Sequence, residues 1–483
     1  MDLPLGLTHP GLETSMPHAD PRIEAVRNGL SHPSEVAGEE TRWTMEERLA
    51  HYACPAVSVA VIEHGELAWS QAFGALETGG EARANPQTLF SGASISKPIT
   101  AAMALYYVDR GRLDLDANVN SYLSSWRLPE SALTEGSPVT LRRLLSHTAG
   151  TTVHGFGGMP PGSLLPSVID TLEGRPPALN GPVRVDRRPG EVERYSGGGT
   201  MIVQLVLEEL AGKAFTELAR ELVFDPLGMD RTTFANPLPE RLQSNAAVGH
   251  EDGAPIPGKW VCVPQLGAGG VWTTAEDYAR FMIAGRNAWL GLPTPLFGKG
   301  LAEQMMTSQG GVFGLGWEVM GKDGGRRFSH GGSNAGYQCE AVALLEAGHG
   351  AVVLTNAESG LILYWEVFAA IARAHRWTGF MPPPRTMRPI PPEEMERYTG
   401  VYDIVSGVEM PELKAWSENG QLYTHIAGMR GGPNHTLMDQ NGRLFNRRRP
   451  SETEVVYGPD GRAHELILRL FGEAEVMRMR RRA

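Results

Sequence analysis

Ser94-Ile95-Ser96-Lys97 is the one place in this 483-residue chain where a serine stands three residues ahead of a lysine. On a helix, residues three apart share a face, so this spacing brings Oγ and Nζ within contact range. A serine hydroxyl is a poor nucleophile until a base takes its proton. Lysine serves as that base once burial or neighbouring charge lowers its pKa to roughly 7 or 8. The amides at a helix N-terminus favour negative charge developing beside the serine. The chemistry this pair supports is acyl transfer through a covalent acyl-enzyme. Six lysines occur among the 44 basic residues, and the flanks Phe90-Ser91-Gly92-Ala93 and Ile99-Thr100-Ala101-Ala102 are too apolar for a solvated helix face. Ser96, at i+2, points away from the shared face and reads as a structural hydroxyl.

The elements that must position this pair follow from periodicity. Ile99, Met103 and Tyr106 recur at helical spacing and Gly111 ends the run, which predicts a helix of about four turns with Ser94 at its start. Upstream, Glu24–Leu30 and Arg42–His51 read as helices. Ala56–Ile62, the turn His64-Gly65 and Leu67-Ala68-Trp69 read as a β-hairpin. Helices are predicted over Met201–Leu210 and Phe215–Leu222, and from Asp277, opened by a capping box at Thr273-Thr274-Ala275-Glu276. Strands return at Phe328, Tyr337–Leu345 and Ala351–Leu354, before a helix over Leu361–Arg373. This order predicts an α/β fold of the α+β kind, one sheet with a helical region inserted. Residues 1–22 read as a flexible arm and 23–378 as the catalytic domain. The stretch 379–392, with six prolines, reads as a stiff linker. Residues 393–483 carry the hairpin signals Asn419-Gly420, Asn441-Gly442 and Asp460-Gly461, which predict an antiparallel β-barrel.

A net charge of −11 provides no positive field for nucleic acid. No stretch is apolar for the ~20 residues of a membrane span and no signal peptide is evident, so a cytoplasmic protein without membrane partners is expected. Cys54, Cys262 and Cys339 lack metal or disulfide spacing and read as buried hydrophobes, and no cofactor or metal is implied. Nothing in the pattern specifies an oligomeric state.

The chain resembles the serine β-lactamase and penicillin-binding protein superfamily, specifically its class C-like esterases and D-aminopeptidases. The motifs that carry the resemblance, in family order, are Ser94-Ile95-Ser96-Lys97, Tyr195-Ser196-Gly197 and His330-Gly331-Gly332. Leu144–Gly150, Phe224–Met229 and Gly269–Asp277 resemble family scaffold segments, and the resemblance covers residues 40 to 375. Read alone, Tyr195 is an amphipathic anchor on a loop, His330 a strand histidine and His147 a scaffold residue. The resemblance makes Tyr195 a general base and acid, its phenol lowered by the positive charge of Lys97, and His330 an aid to charge stabilisation. It implies an oxyanion hole at the amides of Ser94 and Ser333, with Gly331 and Gly332 admitting substrate backbone and Asn334 contacting its amide. It implies a lipocalin-like C-terminal barrel as well. Gly197 replaces the asparagine of β-lactam-processing members, which turns the expectation from β-lactams towards small ester, amide or peptide substrates. An acyl or peptidyl transferase, including a peptide-cyclising thioesterase, shares the same acyl-enzyme. A sensor that merely captures an acyl group is the non-catalytic alternative.

Overall fold

The computed structural model describes residues 20–321, 324–407, 410–429, 432–472 and 474–482. The expected arm lies outside the described residues up to position 19. Helix α1 (Pro21–Arg27) starts two residues inside it, because Asp20 accepts the Arg22 N–H as N-cap and proline suits the first helical turn. Helix α2 (Met45–His51) follows, opened by a reciprocal capping box between Thr44 and Glu47. Strands β1 (Ala56–Glu63) and β2 (Glu66–Gly74) form the expected hairpin. His64 and Gly65 both take positive φ, 54° and 83°, as a tight two-residue turn requires.

Strand β3 (Phe90–Ala93) pairs with β4 (Val271–Thr273) in a small separate ladder. Between them in the chain lie α3 (Ser96–Asp109), α4 (Val168–Glu173), α5 (Gly197–Ala211) and the short α6 (Leu266–Gly269). Helix α7 (Ala275–Leu290) is next, and its cap differs from the expected box by one residue. Thr274 caps the Asp277 N–H, while the Glu276 side chain is spent on Ser70 and Arg280. Strands β5 (Glu318–Met320), β6 (Arg327–Asn334), β7 (Tyr337–Leu344) and β8 (His349–Thr355) precede helix α8 (Gly360–Ala374).

The main sheet has the order β2-β1-β8-β7-β6-β5 and is antiparallel throughout. The alternation of β1 serves two cores. Val57, Val59 and Val61 pack with Val26, Phe368 and Ile371 of α1 and α8, while Ala56, Ala60 and Ile62 face Ile99, Met103 and Phe281 of the helical side. The serine helix is thus clamped between the sheet and the helical lobe.

After α8, strands β9 (Gly400–Gly407), β10 (Leu413–Glu418), β11 (Gln421–Ile426), β12 (Asn434–Asp439), β13 (Leu444–Phe445), β14 (Ser451–Tyr457), β15 (Ala463–Leu470) and β16 (Ala474–Arg481) close into an eight-stranded antiparallel barrel. Closure comes from the β12–β13 pairing and leaves the barrel no free edge. All three expected Gly turns lie between consecutive strands, with Gly420, Gly442 and Gly461 at positive φ. The 379–392 segment is no free spacer. The carbonyls of Gly379 and Phe380 accept from Arg327, and Met387–Arg388 pairs with β12. The Arg327 guanidinium also stacks 3.5 Å from the Phe471 ring centroid of the barrel. No helix among the described residues is long and apolar enough to cross a membrane.

Candidate active site

Strand β3 ends at Ala93 with φ 49°, a left-handed conformation uncommon for a residue with a Cβ. This turn throws Ser94 out of the strand, two residues before the first residue of α3. The Lys97 N–H still donates to the Ser94 carbonyl at 3.0 Å, so the serine is stapled to the first turn. Ser96 has the structural role its phase implied. Its hydroxyl donates to Ala93 O at 2.6 Å and accepts the Val271 N–H at 3.0 Å, locking the turn to β4.

Lys97 Nζ lies 3.0 Å from Ser94 Oγ and donates to Ala268 O of α6 at 2.7 Å. The side chain is buried and no carboxylate pairs with it. Burial alone pushes its pKa down to about 7. The amine is therefore poised between its two protonation states near neutrality.

Tyr195 sits directly before α5, its ring 4.7 Å from Lys97 Nζ. His147, His154 and Phe313 surround the ring at centroid distances of 4.4, 5.0 and 5.7 Å, with His330 at 6.1 Å. The expectation of a lowered phenol pKa is overturned. Burial raises it, against a hydrogen bond with Ser94 that acts to lower it, and the Glu318 carboxyl raises it further.

His330 projects from β6, only 2% exposed. Its Nδ1–H donates to Gly331 O at 2.7 Å, which leaves Nε2 as a bare lone pair. Burial and the Lys97 charge lower its pKa to about 3, so the ring is neutral at neutral pH. His147 has the opposite tautomer. Its Nδ1 accepts the Ser196 N–H at 3.2 Å, so Nε2 carries the hydrogen, and burial holds this ring neutral too. Among the described residues, neither buried Nε2 has a hydrogen-bond partner.

The rest of β6 is placed as follows. A Cβ on Gly332 would lie 2.2 Å from Gly92 O and 2.5 Å from Cys339 Sγ, so this glycine lets β6 pass against β3 rather than opening room for substrate. Gly331 faces the other way, onto the buried Glu340 carboxyl. Ser333 is exposed, with its hydroxyl accepting from Gln338 Nε2 at 2.8 Å. Asn334 donates its amide hydrogens to Ser91 Oγ (2.9 Å) and Gly269 O (3.1 Å), so they are spent on the scaffold and not free for a substrate. Cys339, buried with its thiol pKa pushed far up, is inert packing. Gly197 is closely packed, so a larger residue there requires its neighbours to shift. A Cβ there would lie 3.0 Å from the Phe156 ring and 3.2 Å from His154 O.

Sequence reasoning missed His147 as a wall of the site, and missed His154, Phe156 and Phe313 altogether. They reach Tyr195 from remote loops, and no local pattern marks them. Among the described residues, no three His, Cys, Asp or Glu side chains converge as a metal group would.

A family model described as Beta-lactamase matches residues 42–362. Penicillin-binding protein 4 of Amycolatopsis lactamdurans is 25% identical over 387 residues, 74% of this chain and 96% of its own. Esterase EstB of Burkholderia gladioli is 32% identical over 41% of this chain and 51% of its own, and a D-aminopeptidase of Brucella anthropi is 24% identical over 64% and 58%. The octameric penicillin-binding protein homologue from Pyrococcus abyssi superposes with a TM-score of 0.57 at 18% identity, covering 90% of this chain and 98% of that one, and so shares the fold. This chain belongs to the beta-lactamase family of serine hydrolases.

Proposed function

We propose that the protein hydrolyses small esters or amides through an acyl-enzyme on Ser94. The observation that carries the reading is the buried, counter-ion-free Lys97 amine 3.0 Å from Ser94 Oγ, with its pKa lowered to about 7. Neutral Lys97 takes the Ser94 proton as Oγ attacks the carbonyl. The base is thus the lysine, since a phenol raised by burial stays protonated. The amides of Ser94 and Ser333 hold the oxyanion, a contribution typically worth about 3 to 4 kcal/mol per donor. Tyr195, hydrogen-bonded to Ser94, protonates the leaving group and recovers the proton from Lys97. The neutral rings of His147 and His330 lie beside the phenol. Water then releases the acyl group.

The electrostatics favour uncharged or amine-bearing substrates over a C-terminal carboxylate. Among the described residues, Lys97 is the only Lys or Arg whose charge bears on His147 or His330, and the nearby Glu318 is acidic. The filled space beside Gly197 disfavours the acylamino group of a β-lactam. A hydrolysis panel of short p-nitrophenyl esters, D- and L-amino-acid amides and nitrocefin tests this, with intact-mass detection of the adduct. Turnover by Ser94→Ala at the wild-type rate, or nitrocefin as the best substrate, sinks the reading.

A further inference from the structure

The Lys97 amine has a fixed partner besides Ser94. Its Nζ donates to Ala268 O at 2.7 Å, and a carbonyl oxygen can only accept. When Lys97 is neutral, one of its two N–H bonds must therefore point at Ala268, which restricts where the lone pair can point. Ser94 Oγ, 3.0 Å from Nζ, meets that lone pair only while the Ala268 carbonyl keeps its place.

This carbonyl stands on weak local structure. Helix α6 is four residues long, Leu266-Gly267-Ala268-Gly269, with a glycine on each side of Ala268. A single helical turn is unfavourable on its own, and glycine leaves the backbone its widest freedom. The restraint comes from the two helices that close on Gly267. From α5, Gln204 Oε1 accepts the Gly267 N–H at 2.9 Å; from α3, Thr100 Oγ1 donates to Gly267 O at 2.8 Å, a shorter contact than the 3.1 Å to Ser96 O within its own helix. Both peptide groups flanking the Gly267 Cα are thus held, and the next carbonyl along the chain is that of Ala268. A Cβ on Gly267 would lie 3.0 Å from Thr100 Oγ1 and 3.3 Å from Gln204 Oε1, so the fit is close from both sides.

Packing alone does not call for a glutamine at this point. Gln204 is the one polar residue in the run 201–207 and is 1% exposed, and a buried amide is costly unless its polar ends are bonded. Its Nε2 donates to Glu208 Oε1 at 3.2 Å, and the same carboxyl oxygen accepts the Phe215 N–H at 3.2 Å. The amide is therefore oriented with its oxygen towards Gly267.

We infer that Gln204 and Thr100 are positioning residues for acyl transfer: they clamp Gly267 so that the Ala268 carbonyl holds Lys97 Nζ with its lone pair on Ser94. The inference rests on the reading that neutral Lys97 is the base.

The test is a double-mutant cycle on the full chain, read as kcat/KM for p-nitrophenyl butyrate. Gln204→Met keeps the length of the side chain and removes its acceptor, and Thr100→Val removes the donor at nearly constant shape. Each is expected to lower kcat/KM at least about tenfold in the wild type and less than about twofold in Lys97→Met, where no amine remains to be positioned. Thr100→Ser, which keeps the hydroxyl, should recover most of the loss. A purely structural role predicts the same loss with and without Lys97. That result, or no loss in the wild-type background, overturns the inference. Circular dichroism identifies a variant that fails to fold, and the comparison then rests on the other position. Turnover by Lys97→Met at the wild-type rate instead overturns the lysine-base reading, and the positioning role falls with it.

Discussion

The catalytic cleft and the C-terminal barrel treat polar side chains in opposite ways. On the barrel surface they are consumed in pairs: Glu465 binds Arg478 and Arg480, Glu454 binds Arg469, and Asp403 binds Arg482. In the cleft, among the described residues, Lys97 is buried without a counter-ion, and His147 Nε2 and His330 Nε2 are buried without hydrogen-bond partners. The barrel groups are mutually satisfied and solvent-screened, so each contributes little. The cleft groups are costly to bury and keep their bonding capacity for a ligand. The difference separates a unit built to persist from one built to react.

Breaking the comparison at its reactive end has the largest effect. Ser94→Ala is expected to lower turnover of p-nitrophenyl butyrate by at least ~10³-fold, with no acyl adduct in the mass spectrum. Lys97→Met should cost about 10² to 10⁴-fold. In the wild type, kcat/KM should rise with pH to a plateau along a limb centred near 7, where Lys97 becomes neutral, and this limb should vanish in the variant. His330, already neutral above about 3, cannot supply it. Stability should move the other way. Because the folded-state pKa of Lys97 lies below its unfolded value of 10.5, its burial is penalised fully below pH 7, and the penalty fades as pH rises to about 10.5. Lys97→Met should therefore stabilise the fold most at or below pH 7, by an amount on the order of a few kcal/mol in chemical denaturation, and least near pH 10.

Two smaller effects sharpen the contrast. Gly197→Asn should push Phe156 and the His154 carbonyl aside and destabilise the fold by about 1 to 3 kcal/mol in chemical denaturation, without conferring nitrocefin hydrolysis. Arg480→Ala on the barrel should change stability by less than about 1 kcal/mol and leave ester turnover as it was. A large loss of activity in that variant would show that the barrel surface is not the passive region described.

What could be read in advance was what local sequence determines. The Ser94–Lys97 spacing, the His64-Gly65 hairpin and the barrel turns each depend on residues within a few positions of one another. The Lys97 pKa was anticipated because apolar flanks already imply burial. The Tyr195 pKa was not, because its direction is set chiefly by burial of the phenol, which depends on chain segments far from it in sequence. The wall of His147, His154 and Phe313 is not a local feature: Phe313 lies 166 positions from His147, 313 minus 147, and meets it only in three dimensions. Pro-rich composition suggested a stiff linker over 379–392, but composition could not reveal that its carbonyls grip Arg327.

That grip has a mechanical meaning. Arg327 is the first residue of β6, three positions before His330, and its guanidinium is held by two carbonyls of the connecting segment and by the Phe471 ring of the barrel. The strand that carries the active-site histidine is thus tethered at its root to the C-terminal unit. Arg327 is therefore the point through which a displacement of the barrel would reach the strand that carries His330.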